Sequence, residues 1–205
     1  MSLMSEYINK VFPHEGVFEI ILGTAGISEN LAPIGLIRHG DDFFSKIFKN
    51  TLTYANLKVK KSCIVNISLD PKTFYILLFN SHVINKVEIV KREYDNIPYL
   101  ENSLSILSEC IEIENKDNFS IFKYNFIKLL NNGTDYRAFS RGDALLIDLL
   151  VHITRLDIFS EEELAKYSSI IEYEIKTIAR LSPDKLDIVR DLIERINAKG
   201  LKISL

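Results

Sequence analysis

Asn30-Leu31-Ala32-Pro33-Ile34-Gly35 is the stretch on which the reading of the fold turns. It opens an apolar run that continues to Ile37. A turn, Ala25-Gly26-Ile27-Ser28-Glu29, separates it from the strand-like Val17-Phe18-Glu19-Ile20-Ile21-Leu22. The two runs read as the first hairpin of an antiparallel sheet. Proline has no amide hydrogen to give to a ladder, so Pro33 implies an edge, a bulge or an interrupted strand. Ala32 and Gly35 are small. Together they leave backbone amides exposed and room for a flat ring to approach the main chain, which is the surface a flavin needs. An ordinary hairpin with a bulge would show the same residues, and on local physics alone it is the commoner outcome.

Working outward, Cys63-Ile64-Val65-Asn66-Ile67 and Phe74-Tyr75-Ile76-Leu77-Leu78-Phe79 are compact, β-branched or aromatic runs and read as strands. Two longer runs, Leu104 to Glu114 and Phe119 to Leu130, flank the turn-forming Asn115-Lys116-Asp117-Asn118 and predict a hairpin. Between Asp41 and Leu57 the period differs: Phe43, Phe44, Ile47 and Phe48 recur at helical spacing and predict a short helix crossing between strands. After Gly133 the pattern becomes helical. Ser140 with Asp143 begins one helix carrying Leu145, Leu146, Leu149, Ile153 and Leu156 on one face. Ser160 with Glu163 is a capping box ahead of Leu164, Tyr167, Ile171, Ile175 and Ile178. Ser182-Pro183 opens a third helix striped by Leu186, Val189, Ile193 and Ile196, with Gly200 as its stop. Apolar stripes must be buried, and the sheet is the partner on offer. The expectation is an α+β protein: an antiparallel β-domain over residues 1–135 and a three-helix segment over residues 136–205 packed on it.

The 205 residues are 47% hydrophobic and 26% charged, enough for one sizeable core or a core with a small appendage. A net charge of -3 supplies no basic face for nucleic acid. No apolar run approaches the roughly 18 residues of a membrane span. No stretch reads as a secretory signal, and Met1-Ser2-Leu3 ahead of Met4 reads as a vector scar. Cys63 and Cys110 are far apart without CxxC spacing, so neither a zinc site nor a disulfide is expected, and a reduced, cytoplasmic setting fits. Both read as packing residues, since nothing near them in sequence would lower a thiol pKa. His14, His39, His82 and His152 are scattered, with no metal-motif spacing.

A second stretch carries chemistry: Lys49-Asn50-Thr51-Leu52-Thr53-Tyr54-Ala55-Asn56-Leu57. Hydroxyls, an amide and a cation sit close together, and a phosphate needs several donors and one positive charge. A polar turn with two hydroxyls is the plainer alternative. Elsewhere the plain readings lead. His152 and Arg155, one helical turn apart, read as a structural pair. Asn66 inside an apolar strand reads as a hydrogen-bonded core amide, and Glu161-Glu162-Glu163 as a helix start favoured by the macrodipole.

The order of His14-Glu15-Gly16-Val17-Phe18-Glu19, Asn30-Leu31-Ala32-Pro33-Ile34-Gly35, Thr53-Tyr54-Ala55-Asn56-Leu57 and Val65-Asn66-Ile67 with Asp70-Pro71 resembles an archaeal family of flavin-reductase-like, FMN-binding split-barrel proteins. Tyr136-Arg137-Ala138 and Leu150-Val151-His152-Ile153-Thr154-Arg155-Leu156 resemble the helical tail of that family. The resemblance implies a split β-barrel homodimer with FMN at the subunit interface. Asn30, Ala32 and Pro33 would border the isoalloxazine ring. Thr53, Tyr54 and Asn56 would meet the phosphate and ribityl chain, with Lys49 and Thr51 as neighbours and Arg137 reaching the cofactor. The family often has Asn where Tyr136 stands and Glu where Asp148 stands. In such proteins the flavin carries the redox chemistry and the protein binds and orients it. The implied activity is therefore an FMN-dependent oxidoreductase or flavin reductase, with no catalytic side chain assigned. No G-x-G-x-x-G is present, which decides nothing here, since the resemblance implies that NAD(P)H would be held only transiently over the flavin. A flavin module without turnover (carrier, store or redox sensor) is the alternative, and a structural dimer that has lost its ligand is a third.

Overall fold

The computed structural model describes residues 3–79, 91–132, 137–199 and 201–205. His82, Gly133, Tyr136 and the helix stop read at Gly200 lie outside the described residues. Two compact units divide the chain: Met1–Pro13 with Phe18–Phe139, and His14–Val17 with Ser140–Leu205.

The first unit is an antiparallel barrel. In chain order it holds α1 (Leu3–Val11), β1 (Gly16–Thr24), β2 (Asn30–His39), β3 (Asp42–Phe48), α2 (Leu52–Val59), β4 (Ser62–Ile67) and α3 (Pro71–Phe79). β5 (Lys91–Tyr94), β6 (Ile97–Leu100), β7 (Leu104–Asn115) and β8 (Phe119–Asn132) follow, and β9 (Phe139–Ser140) is a two-residue extended step. The strands run β2-β3-β8-β7-β4-β1, and β1 pairs back to β2, so the sheet closes. Closure removes the open edges that a free sheet must otherwise protect. Inside, every second residue of each strand points to one core: Phe18, Ile20 and Leu22 of β1, Phe43 and Ile47 of β3, Cys63, Val65 and Ile67 of β4, and Phe122 and Tyr124 of β8. The helix α1, which the sequence reading does not anticipate, delivers Phe12 just beyond its end. That ring lies 5.3 Å from Phe18 and 5.2 Å from Phe43. The β5–β6 hairpin turns at Asp95-Asn96, both with positive φ (51° and 60°), as a two-residue primed turn requires.

Three sequence expectations are corrected here. The segment around Phe43, Phe44, Ile47 and Phe48 is strand β3, not a helix: Phe43, Ser45 and Ile47 are buried in alternation, and the helix begins only at Leu52. Aromatic residues on both faces produced the false helical period. Conversely, Phe74 to Phe79 is not a strand but part of α3. The cause lies just upstream, where Asp70 accepts the amides of Lys72 and Thr73 and the Thr73 hydroxyl, and Pro71 occupies the first helical position. The Thr73 hydroxyl, ahead of the two amides, holds the Asp70 carboxyl below its ordinary range. Finally, Cys63 and Cys110 form a disulfide, with Cα atoms 6.3 Å apart. β4 and β7 are sheet neighbours, with Cys63 opposite Ser108, so residues 47 apart in sequence meet in the barrel interior. Spacing rules that look for nearby cysteines cannot see this.

The second unit holds α4 (Arg141–Thr154), α5 (Glu161–Leu181), a 3-10 turn at Pro183–Lys185 and α6 (Leu186–Ala198). Ser140 caps α4 by accepting the Asp143 amide, and the Ser160/Glu163 box closes in both directions. Ser182 precedes the third helix, but its side chain caps nothing there. The three stripes form a core of their own: Leu146, Leu149 and Ile153 pack with Ile171, Ile175, Ile178, Val189 and Ile196. Most of the apolar stripe residues are thus buried within this unit. No helix among the described residues is long and apolar enough to cross a membrane.

Candidate functional site

The two chemically informative stretches converge in the barrel unit. The Asn30 amide at the start of β2 donates to the Thr53 hydroxyl in the first turn of α2, at 2.9 Å. Thr53 is buried and Asn30 half-buried. Beyond Asn30, the strand carries half-buried Ala32, Pro33, Ile34 and Gly35. Its paired register with β3 covers only Ile37, Arg38 and His39, so the stretch around Pro33 is free of that ladder. The missing amide of Pro33 therefore falls where no β3 partner needs it.

Thr51 is the N-cap of α2. Its hydroxyl accepts the Tyr54 amide at 3.2 Å and donates to the Phe48 carbonyl at 2.6 Å. The segment Lys49 to Leu57 thus leads into a helix that begins at Leu52. A helix start leaves its first amides without intrahelical acceptors and carries the positive end of the helix dipole, both suited to an anion. Lys49 donates to Asn115 Oδ1 at 2.6 Å on the β7–β8 hairpin, and Asn115 donates in turn to Glu112 at 2.9 Å. Lys58 reaches the same carboxylate at 2.6 Å. Its hydrogen bond holds Glu112 below the ordinary carboxylate range, with a further contribution from Ser120, and raises Lys58 in return.

Asn56 is bonded into the turn that precedes β2. It is fully buried. Its carbonyl oxygen accepts the amides of Ile27 (2.9 Å) and Ser28 (3.3 Å), and its nitrogen donates to the Thr24 hydroxyl (3.1 Å) and the Ser28 carbonyl (2.7 Å). It fastens the turn that leads into Asn30. Tyr54 packs edge-on against Phe122, 6.3 Å between ring centroids. Arg137 is exposed, and the next residue, Ala138, donates its amide to the Val11 carbonyl, which puts Arg137 by the end of α1. Asn66 is a core amide as read: it donates to Ile21 and Ile64 carbonyls and accepts from the Leu100 amide and the Ser105 hydroxyl. A cleft of about 530 Å³ opens on the Asn56-fastened turn, lined by Ala25, Gly26, Ser28, Glu29, Val59, Lys60 and Asn96.

In the helical unit, His152 does not pair with Arg155 as expected. Its Nδ1 lies 3.0 Å from Glu174 Oε2 on α5, while Arg155 caps α4 through its backbone. Burial raises the Glu174 carboxyl above its ordinary value; His152 opposes this and Asp148 adds to it. Sequence reasoning missed Glu174, because a carboxylate in an apolar stripe becomes notable only when the neighbouring helix is known.

A closed six-stranded antiparallel barrel of this order defines a split-barrel protein. The chain belongs to the DUF447 family of proteins of unknown function: the family's N-terminal domain matches residues 18–132 and its second domain matches residues 140–195. The boundary between those matches falls where the two compact units divide. An FMN-bound protein of the same family from Methanosarcina mazei superposes with a TM-score of 0.50 at 24% identity, covering 91% of this chain and 96% of that one. Flavoredoxin from Methanosarcina acetivorans gives 0.46 at 17% identity, over 57% of this chain and 69% of that one. A flavin reductase complexed with NADP+ gives 0.47 at 13%, over 68% and 97%. No curated protein sequence matches.

Proposed function

We propose that this chain is an FMN-binding protein acting as a flavin-dependent oxidoreductase or flavin reductase, with the flavin at a homodimer interface in the cytoplasm. The carrying observation is the Asn30–Thr53 hydrogen bond, which joins the small-residue stretch of β2 to the capped start of α2. The FMN-bound family member, matched over nine-tenths of the chain, supports the choice of ligand. The residues suit FMN at both ends. Ala32, Pro33 and Gly35 offer a low, half-buried strand surface for the ring, with Asn30 at its border. The Leu52 and Thr53 amides at the start of α2, with Thr51 and Lys49 beside them, offer donors and charge for the phosphate; the Tyr54 amide is already taken by Thr51. Asn56 is removed from that set, because all four of its bonds go to the 24–28 turn; it acts on the site by fixing that turn. Arg137 and Tyr54 remain candidates for the ribityl side. Bound FMN would supply the electron-transfer chemistry, while the chain's own groups orient it and limit water. The Cys63–Cys110 disulfide removes the sequence argument for a reduced setting, which rested on free cysteines.

The test is the absorbance spectrum of the purified protein, followed by mass analysis of the released chromophore, riboflavin competition and light scattering. The reading expects FMN held more tightly than riboflavin and a mass twice that of one chain. NAD(P)H oxidation by the loaded protein marks an enzyme; a yellow protein without it marks a carrier, store or sensor. A colourless protein that takes up neither flavin overturns the proposal.

A further inference from the structure

We infer that Asp148, His152 and Glu174 form a binding site for one divalent transition-metal ion of the zinc class, within the helical unit. The ligand atoms, one oxygen from each carboxylate and one imidazole nitrogen, lie within 4.8 Å of one another. Asp148 and His152 are four residues apart on α4 and so share a face. Glu174 comes from α5, and its oxygen is already 3.0 Å from His152 Nδ1. Tetrahedral ligation with bonds near 2.0–2.1 Å puts neighbouring ligand atoms about 3.3 Å apart. The His152–Glu174 edge is thus close to its final length, and the Asp148 oxygen already lies within 4.8 Å of both.

Charge and burial point the same way. Glu174 is only 2% exposed and sits between Ile171, Ile175 and Ile178 on the buried face of α5. A carboxylate there needs a compensating positive charge. His152 alone could supply one. Asp148, however, brings a second negative charge to a carboxylate that already has a partner, an arrangement that disfavours both ionised forms. A divalent cation balances the two carboxylates and takes the imidazole as a neutral ligand. The ring is also held in place: Tyr167 lies 5.1 Å from it and is itself stacked on Phe159 at 4.5 Å. Three protein ligands with an exposed side leave a fourth position for water. The ion would clamp α4 to α5.

The experiment uses the full chain, stripped with chelator and titrated with Co²⁺, whose visible bands report tetrahedral ligation. The expected result is one ion per chain, displaced by Zn²⁺, with a rise in Tm. Asp148→Asn and His152→Gln should each weaken binding by at least about tenfold, the lower range for losing a group that merely supports a metal site. His39→Gln, at an exposed histidine outside the set, should leave affinity unchanged. Asp148 is exposed, so Asp148→Asn decides the question if circular dichroism shows His152→Gln to be misfolded. No tetrahedral cobalt spectrum, or an affinity unaffected by Asp148→Asn, overturns the assignment.

Discussion

Asn56→Ala tests the claim that a fully buried amide, and not a ligand contact, explains why asparagine stands in the second motif. The substitution removes four hydrogen bonds at once. Their losses are unequal. The Ile27 and Ser28 amides belong to exposed residues and can turn to water. The Thr24 hydroxyl is fully buried and cannot. Stranding one buried polar group costs about 1–3 kcal/mol, and each exchanged bond adds about 0.5–1.5 kcal/mol net. With one group stranded and three bonds exchanged, an overall loss of about 5 kcal/mol follows from these terms. The damage should also be local. Hydrogen exchange should show the Ile27 and Ser28 amides losing protection while those in the β7–β8 ladder keep theirs. Because the freed turn leads directly into Asn30, FMN and riboflavin affinities should fall together. A stability loss below about 1 kcal/mol, the worth of a single exchanged bond, would refute the fastening role. So would unchanged protection at Ile27 and Ser28.

Thr53→Val deletes the acceptor for Asn30 and should weaken riboflavin as well as FMN, as Asn30→Ala should; weakening of FMN alone would put Thr53 on the phosphate instead. The Cys63–Cys110 bond closes a separation of 47 residues, for which loop entropy gives about 4 kcal/mol, so reductant in urea should lower the denaturation midpoint; two titratable thiols in unreduced, denatured protein would dispose of the claim. Gly23→Ala would place a Cβ 2.0 Å from the Pro98 carbonyl oxygen, forcing backbone apart at a cost of about 1–3 kcal/mol or more, readable as a drop in Tm. Ser160→Ala removes the α5 cap and should cost about 1 kcal/mol, with a loss under a few tenths showing the cap to be idle. Glu174, raised above its ordinary 4.5 by burial, favours its protonated form in the fold. Its contribution is fully present below 4.5 and is lost as pH rises through the raised value. In chelator, the Tm advantage of Glu174→Gln over wild type should therefore grow with rising pH, and a flat difference would contradict the sign.

What the sequence made legible follows from where its signals are local. The β7–β8 hairpin was readable because Asn115 to Asn118 interrupts two long runs, and the register confirms it. The helices α4 and α5 were readable because Ser140 and Ser160 cap them through contacts three residues away. The errors came where one residue type serves two periods. Phe44 and Phe48, on the outer face of β3, are as aromatic as Phe43 within, so alternation vanished. In α3 an apolar run looks like a strand until the Asp70-Pro71 start is given more weight than the run itself. The disulfide and the Asp148–His152–Glu174 set were unreadable for one reason: each joins elements whose adjacency is a property of packing.

The candidate site poses a subtler question. Its polar residues are partnered largely with each other. Asn30 is held by Thr53, Asn56 holds residues 24–28, and Thr51 caps the helix that carries both Thr53 and Asn56. An ordered series of polar motifs can therefore record the bonds that shape a strand–helix junction as readily as the atoms that touch a ligand. The two roles are separable only by asking which ligand parts each substitution affects. A residue that shapes the junction shifts FMN and riboflavin alike, and one that meets the phosphate shifts FMN alone. On the geometry here, Asn56 and Thr53 belong to the first kind. The α2 amides and Lys49 are the groups left for the second, so Lys49→Ala, beside its Asn115 contact, should discriminate against FMN while leaving riboflavin binding unchanged.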